Sequence, residues 1–150
     1  MEDLFAGQPV DIPAMLAKLK KVAGDLGLPF GKRTMTYNSR LAQELGKWAE
    51  EKGMGDAFHH AAFLAYFRDG ENLARHDVLL KICEEIDLDR NKAGTVLKER
   101  SFKEPVDLDW QKSRQMGITA VPTFVFAGQR LVGAQPYEAL ERLVQTSHSK

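Results

Sequence analysis

The hydrophobic period of this chain changes once, near Pro105. Upstream of it, apolar residues recur three and four apart, the spacing that lines one face of an α-helix. Downstream, Val121-Pro122-Thr123-Phe124-Val125-Phe126 is dense in β-branched and aromatic residues, which suit a pleated strand. One such change restricts the chain to a long helical block followed by one short β element. Residues 1–104 are therefore read as a helical part with its lead-in, and residues 105–150 as a helix–hairpin–helix part. With 150 residues, 43% of them hydrophobic, there is enough chain to bury a core of this kind.

The helical block divides at its caps and stops. Asp11 caps a first helix with Pro13 in its first turn, where a missing N–H costs little. Met15, Leu16, Leu19, Val22, Ala23 and Leu26 follow at helical spacing, and Gly27 ends the run. Asn38 or Ser39 opens a second helix, with Leu41, Leu45, Trp48 and Ala49 on one face and Gly53 as its stop. A third spans 56–68. Its Phe58, Phe63, Tyr66 and Phe67 spread round the axis, which predicts the central and most buried helix. Asp69-Gly70 is a turn. Asp77 caps a fourth helix with Val78, Leu79, Ile82, Cys83 and Ile86 inward, and Asp89 a fifth with Ala93, Val96 and Leu97 inward. Pro105 interrupts the pattern, and a sixth helix runs from about Leu108 to Met116, ending at Gly117. Gly128-Gln129 is the expected turn between two strands. Gly133 suits a bulge or a close backbone approach, and Pro136 opens a last helix through Leu140, Leu143 and Val144. Residues 147–150 are expected to fray.

The single cysteine excludes several chemistries. The chain holds no intrachain disulfide, no Cys-x-x-Cys redox pair and no cysteine-rich zinc module. Cys83 falls on the apolar face of its helix, where a thiol behaves as inert core. Lys plus Arg number 21 and Asp plus Glu 21, so net charge does not point to nucleic acid. The longest apolar runs, near 61–67 and 121–127, fall far short of the roughly 20 residues a membrane helix needs. The acidic opening Glu2-Asp3-Leu4-Phe5 lacks the regions of a secretory signal, so a cytoplasmic location is expected. His59 and His60 point about 100° apart on a helix and do not share a metal. His76 and His148 read as solvated. No residue is assigned as catalytic, and no metal or cofactor is expected. Pro122 stays open between an edge-strand start and a cis bond.

Several stretches together carry a family resemblance. They are Gly117-Ile118-Thr119-Ala120-Val121-Pro122-Thr123-Phe124-Val125-Phe126, then Val132-Gly133-Ala134-Gln135-Pro136, with Tyr37-Asn38-Ser39, Ala65-Tyr66-Phe67 before Asp69-Gly70, and Val78-Leu79 upstream. From about Asp3 to Val144 the chain resembles the DsbA-like thioredoxin family, on the branch of the FrnE-type oxidoreductases. That branch inserts a helical domain into the thioredoxin fold. The resemblance implies an α/β thioredoxin-like class, here mostly α with a C-terminal β-hairpin. It also implies that Pro122 is the family's cis-proline, with Ala120, Val121 and Pro122 as substrate-binding residues. Val121 then offers its backbone N–H and C=O to an extended peptide or thiol substrate, in the manner of strand addition.

The departure from the family is as informative as the match. The family's Cys-x-x-Cys, or the serine that replaces it in the glutathione-dependent isomerases, stands on a first strand and helix that this chain lacks. The first β-α-β unit is expected to be missing. The sheet is then a hairpin whose free edge, at Phe124, Val125 and Phe126, invites self-association or pairing with a missing N-terminal segment. The expected function is that of the C-terminal portion of a thiol–disulfide oxidoreductase, inactive alone. The alternatives are a non-catalytic peptide- or partner-binding module, and a fragment like the 2-hydroxychromene-2-carboxylate isomerase branch. No nucleic acid or membrane partner is expected.

Overall fold

The computed structural model describes residues 11–32 and 35–145. The fraying of 147–150, the placement of His148 and the reading of Glu2–Phe5 lie outside the described residues. The chain forms two compact units, Met1–Val106 and Asp107–Lys150.

The first unit opens with α1 (Ile12–Asp25), where the Asp11 carboxylate accepts the Ala14 N–H at 2.9 Å. It ends at Gly27, whose φ of +68° lets the Leu28 N–H reach back to the Ala23 carbonyl at 2.8 Å. No α1 residue is buried, and Leu19, Val22 and Leu26 are all exposed. In α2 (Arg40–Glu51) the opening bond comes from Asn38, whose Oδ1 accepts the Arg40 N–H at 2.8 Å. This helix buries Ala42, Glu44, Leu45, Gly46, Trp48 and Ala49, more than any other.

That corrects the expectation for the third helix. It is α3 (Gly55–Phe63), continued by a π-helical turn over Leu64–Arg68. Only Phe58, Ala62 and Ala65 are buried, and Phe63 is 61% exposed. Apolar residues do ring the axis, but α2 and α4 pack against it without enclosing it. The π turn shows in the Asp69 N–H, which donates to Leu64, five residues back, at 3.1 Å. Its Phe67 carbonyl accepts the N–H of Gly31 at 2.8 Å. Gly31 is needed there because a Cβ would fall 1.9 Å from the Arg68 carbonyl oxygen.

α4 (His76–Glu85) buries Leu79, Ile82 and Cys83. Asp77 does not cap it. It lies inside the first turn and takes two bonds from the Arg75 guanidinium, at 3.0 and 2.6 Å, while its charge suits the positive end of the helix. Asp89 does cap α5 (Arg90–Glu99), accepting from the Asn91 and Lys92 N–H groups, and Ala93, Val96 and Leu97 turn inward. α6 (Lys103–Gln115) starts at Lys103, ahead of the expected Leu108. Pro105 sits in its first turn, where no intrahelical N–H bond is due, so it opens the helix and does not break it.

Glu44 is the one buried charged residue among those described, at 1% exposure. Arg100, in the left-handed conformation after α5, grips it with two bonds of 2.7 Å. Arg40 adds a third at 2.8 Å and also donates to the Lys103 carbonyl at 2.8 Å. The Arg100 bonds, helped by Arg40 and opposed by burial, hold the Glu44 carboxyl below its ordinary value of 4.5.

In the second unit, β1 (Thr123–Phe126) and β2 (Gln129–Val132) pair antiparallel, Phe126 opposite Gln129 and Thr123 opposite Val132. The turn is Ala127-Gly128, one residue earlier than expected. Both residues have positive φ, +47° and +80°, as a tight turn matched to strand twist requires, and Gln129 is thereby freed to pair. α7 (Tyr137–Gln145) follows Pro136 and buries Leu143.

Two outcomes are expected. Glu44→Gln lowers stability by about 2–3 kcal/mol in urea unfolding at pH 7, below the usual loss for a broken buried pair because Arg100 is 41% exposed. Because the folded carboxyl titrates below the unfolded one, its contribution is complete above about pH 4.5 and fades as pH falls further; Glu44→Gln loses that part of the acid sensitivity. Gly31→Ala costs at least about 2 kcal/mol by the same assay, since backbone must move to admit the methyl group.

A candidate peptide-docking loop

The loop between α6 and β1 is fixed at both ends by backbone. Gly117, at φ +64°, closes α6: the Ile118 N–H donates to the Ser113 carbonyl at 2.9 Å. The Arg130 guanidinium, reaching back from β2, donates to the Gly117 carbonyl at 3.0 Å. At the other end the Thr123 hydroxyl donates to the Ala120 carbonyl at 2.6 Å, and the Gly133 N–H to the Pro122 carbonyl at 2.8 Å. Gly133 has a φ of +85°, so the close approach expected of it is this bond to Pro122. The Val121–Pro122 peptide is cis.

Between these anchors Val121 stands out, 89% exposed. Among the described residues nothing bonds its N–H or its carbonyl. Strand parity explains the direction. Pro122 faces β2 through its bond to Gly133, and alternate residues face the same way. Phe124 and Phe126 then bond β2, whereas Thr123 and Val125 turn their backbone groups to the outer edge. Among the described residues β1 pairs only with β2. Ala120, Val121 and Pro122 thus lie together at the start of the outer edge of β1, which among the described residues pairs with no other strand.

The loop holds no thiol and no titratable side chain. The chain's one thiol, Cys83, belongs to the other unit, is fully buried, and is pushed up by that burial to about 11. Among the described residues no cluster of His, Cys, Asp and Glu is grouped to hold a metal, and no helix is long and apolar enough to cross a membrane. The supports Thr123 and Arg130 escaped sequence reasoning. A hydroxyl or guanidinium bound to a carbonyl several residues away leaves no periodic signal, whereas Gly133 was legible as a glycine inside a strand pattern.

The chain matches the DSBA-like thioredoxin domain over residues 2–145 and belongs to that family. It is 28% identical over 114 residues to the uncharacterized protein YwbO of Bacillus subtilis, a stretch covering 73% of this chain and 56% of YwbO. Its fold is similar to that of a 2-hydroxychromene-2-carboxylate isomerase, with a TM-score of 0.77 at 18% identity, over 87% of this chain and 64% of the isomerase. It is also similar to a candidate protein disulfide isomerase from Nitrosomonas europaea, with a TM-score of 0.69 at 19% identity, over 92% of this chain and 74% of that one. The chain therefore spans somewhat over half the length of YwbO and just under two thirds of the first isomerase. Both structural likenesses establish a DsbA-like thioredoxin fold.

A thiol reagent such as dithionitrobenzoate is expected to leave Cys83 unmodified in the native protein for hours and to react within minutes in 6 M guanidinium (about the unfolding range of small domains). Rapid native labelling would contradict the burial of this group.

Proposed function

We propose that this chain is the C-terminal portion of a DsbA/FrnE-like thiol–disulfide oxidoreductase, supplying the substrate-docking loop and not the redox centre. One observation carries the reading. Within a DsbA-like domain, Val121 presents an N–H and a carbonyl that have no partner among the described residues, beside Pro122, while the chain's single thiol is buried away from solvent. Disulfide exchange needs an attacking thiolate and a partner sulfur, so the exchanging pair belongs to a β-α-β unit outside these residues. A strand of that unit, or of a second copy, pairs with the outer edge of β1 at Thr123 and Val125. The substrate is an extended, thiol-bearing peptide held by Ala120, Val121 and Pro122, and the setting is cytoplasmic.

A second reading is favoured by the absence of Cys-x-x-Cys from the sequence. In it the same loop holds an extended peptide or partner without chemistry. The two readings differ in one experiment. The chain alone is expected to give no insulin reduction above the reductant control. In ¹⁵N amide spectra a reduced, unfolded peptide shifts Ala120, Val121 and residues 123–125. Adding a β-α-β unit that bears Cys-x-x-Cys restores turnover under the first reading and leaves the assay blank under the second. Insulin turnover by the chain alone, or peptide-induced shifts confined to other residues, overturns both.

A further inference from the structure

Helix α1 carries an apolar seam that the other described residues of its unit leave bare. Ile12, Met15, Leu19 and Val22 recur three, four and three positions apart. Leu26 follows four further on and keeps the helical turn, its N–H donating to the Val22 carbonyl at 3.2 Å. This alternation of three and four is the heptad spacing by which two helices interlock. A globular helix normally spends such a stripe on a core. Here no α1 residue is buried, and Leu19, Val22 and Leu26 are 44%, 47% and 68% exposed.

The two edges of the seam show which way it faces and what fits it. On the inner edge stand Leu16 and Ala23, both half-buried. Ala23 lines a cavity together with Phe63 and Leu64, so this edge is turned to the unit's own third helix. On the outer edge stand Lys18 and Asp25, both exposed. Lys18 has no ion-pair partner among the described residues. Asp25 gives only Oδ2 to Lys21, at 2.6 Å, and keeps Oδ1 open. The outer edge therefore offers a cation and a carboxylate oxygen seven residues apart.

We propose that α1 docks against α1 of a second copy of this chain, the two helices running antiparallel about a two-fold axis. Met15 packs on Leu26 of the second copy and Leu19 on its Val22, and the symmetry repeats both layers. The outer edges then meet, with Lys18 against Asp25 of the second copy, twice over. Charge selects this register. Sliding the helices by one heptad stacks Ile12 on Val22 equally well, but it sets Lys18 against Lys18 and Asp11 against Asp25. Charge selects the direction too. A parallel pair brings the outer edge of one helix to the inner edge of the other, where Leu16 and Ala23 carry no charge. The 14 residues of α1 make a seam only about 21 Å long. Such a seam falls below the roughly 1,600 Å² of a standard interface, so the pair forms at concentrations of roughly 0.1 mM. It uses no residue of the docking loop or of β1, and it stands whether or not the chain takes part in disulfide exchange.

The test is sedimentation equilibrium of the full chain, from about 10 μM to about 1 mM, where monomer is expected to give way to dimer. Val22→Glu raises the dissociation constant at least about tenfold and leaves the circular dichroism spectrum unaltered, since Val22 is not buried. Lys18→Asp and Asp25→Lys each weaken the dimer several-fold, and the double variant, which restores opposite charges across the pair, regains most of the loss. Register is read by cross-linking. Met15→Cys mixed with Leu26→Cys under oxidised glutathione yields a disulfide-linked dimer, whereas neither variant alone does so; Cys83 is buried and takes no part. A chain that stays monomeric at about 1 mM overturns the proposal, whatever else covers α1. So does association unchanged in Val22→Glu, a double variant no tighter than the single ones, or Met15→Cys that cross-links to itself as readily as to Leu26→Cys.

Discussion

The helical unit depends on one buried carboxylate. Glu44 lies on the innermost face of α2, among Leu45, Trp48 and Ala49, where an unpaired charge would cost several kcal/mol. Arg100 and Arg40 meet that cost with three short bonds. The geometry has consequences well beyond the charge. Arg100 comes from the end of α5, and Arg40 passes on to the Lys103 carbonyl at the start of α6. A single acid therefore sets how α2, the end of α5 and the start of α6 meet. A hydrophobic residue at position 44 could fill the space, but it could not direct three backbone segments to one point. Apolar contact has no direction, whereas a carboxylate held by a planar guanidinium does.

The second unit is organised by backbone groups and very little buried surface. Its strands are four residues each, and every residue of β1 but Thr123 is exposed. What orders the loop is a set of bonds to carbonyls: Arg130 on Gly117, Thr123 on Ala120 and Gly133 on Pro122. These hold the flanks of Val121 and leave Val121 itself uncommitted. Such a hairpin is marginal on its own, and α7 packs against β2.

Much of this was legible in the sequence, for local reasons. Caps at Asp11 and Asp89, stops at Gly27, Gly53 and Gly117, and the inward faces of α4 and α5 follow from side chains acting on their own turn of helix. The family motif around Pro122 was likewise readable, as was the inert setting of Cys83. The misses share one cause, a competition that short-range pattern cannot settle. Asp77 had the chemistry of a cap, but the helix begins one residue earlier and Arg75 claims the carboxylate. Pro105 looked like a break because its neighbours gave no sign that the helix starts at Lys103. Phe63 and its fellow aromatics promised burial, and packing on one side only left a cavity in place of a core.

The sequence by itself determined the helices, the strand pair after Pro122, the lack of an exchanging cysteine pair and membership of a thioredoxin-like class. Each is written in spacing or residue type, which the chain carries before it folds. The tertiary structure alone decided that Glu44 is a buried junction and not a surface charge. It also decided that the aromatics of α3 enclose space and that Val121 keeps its backbone groups free. Those properties depend on which distant residue arrives to bond or to pack: Arg100 comes from 56 positions away to meet Glu44, and among the described residues no partner reaches Val121.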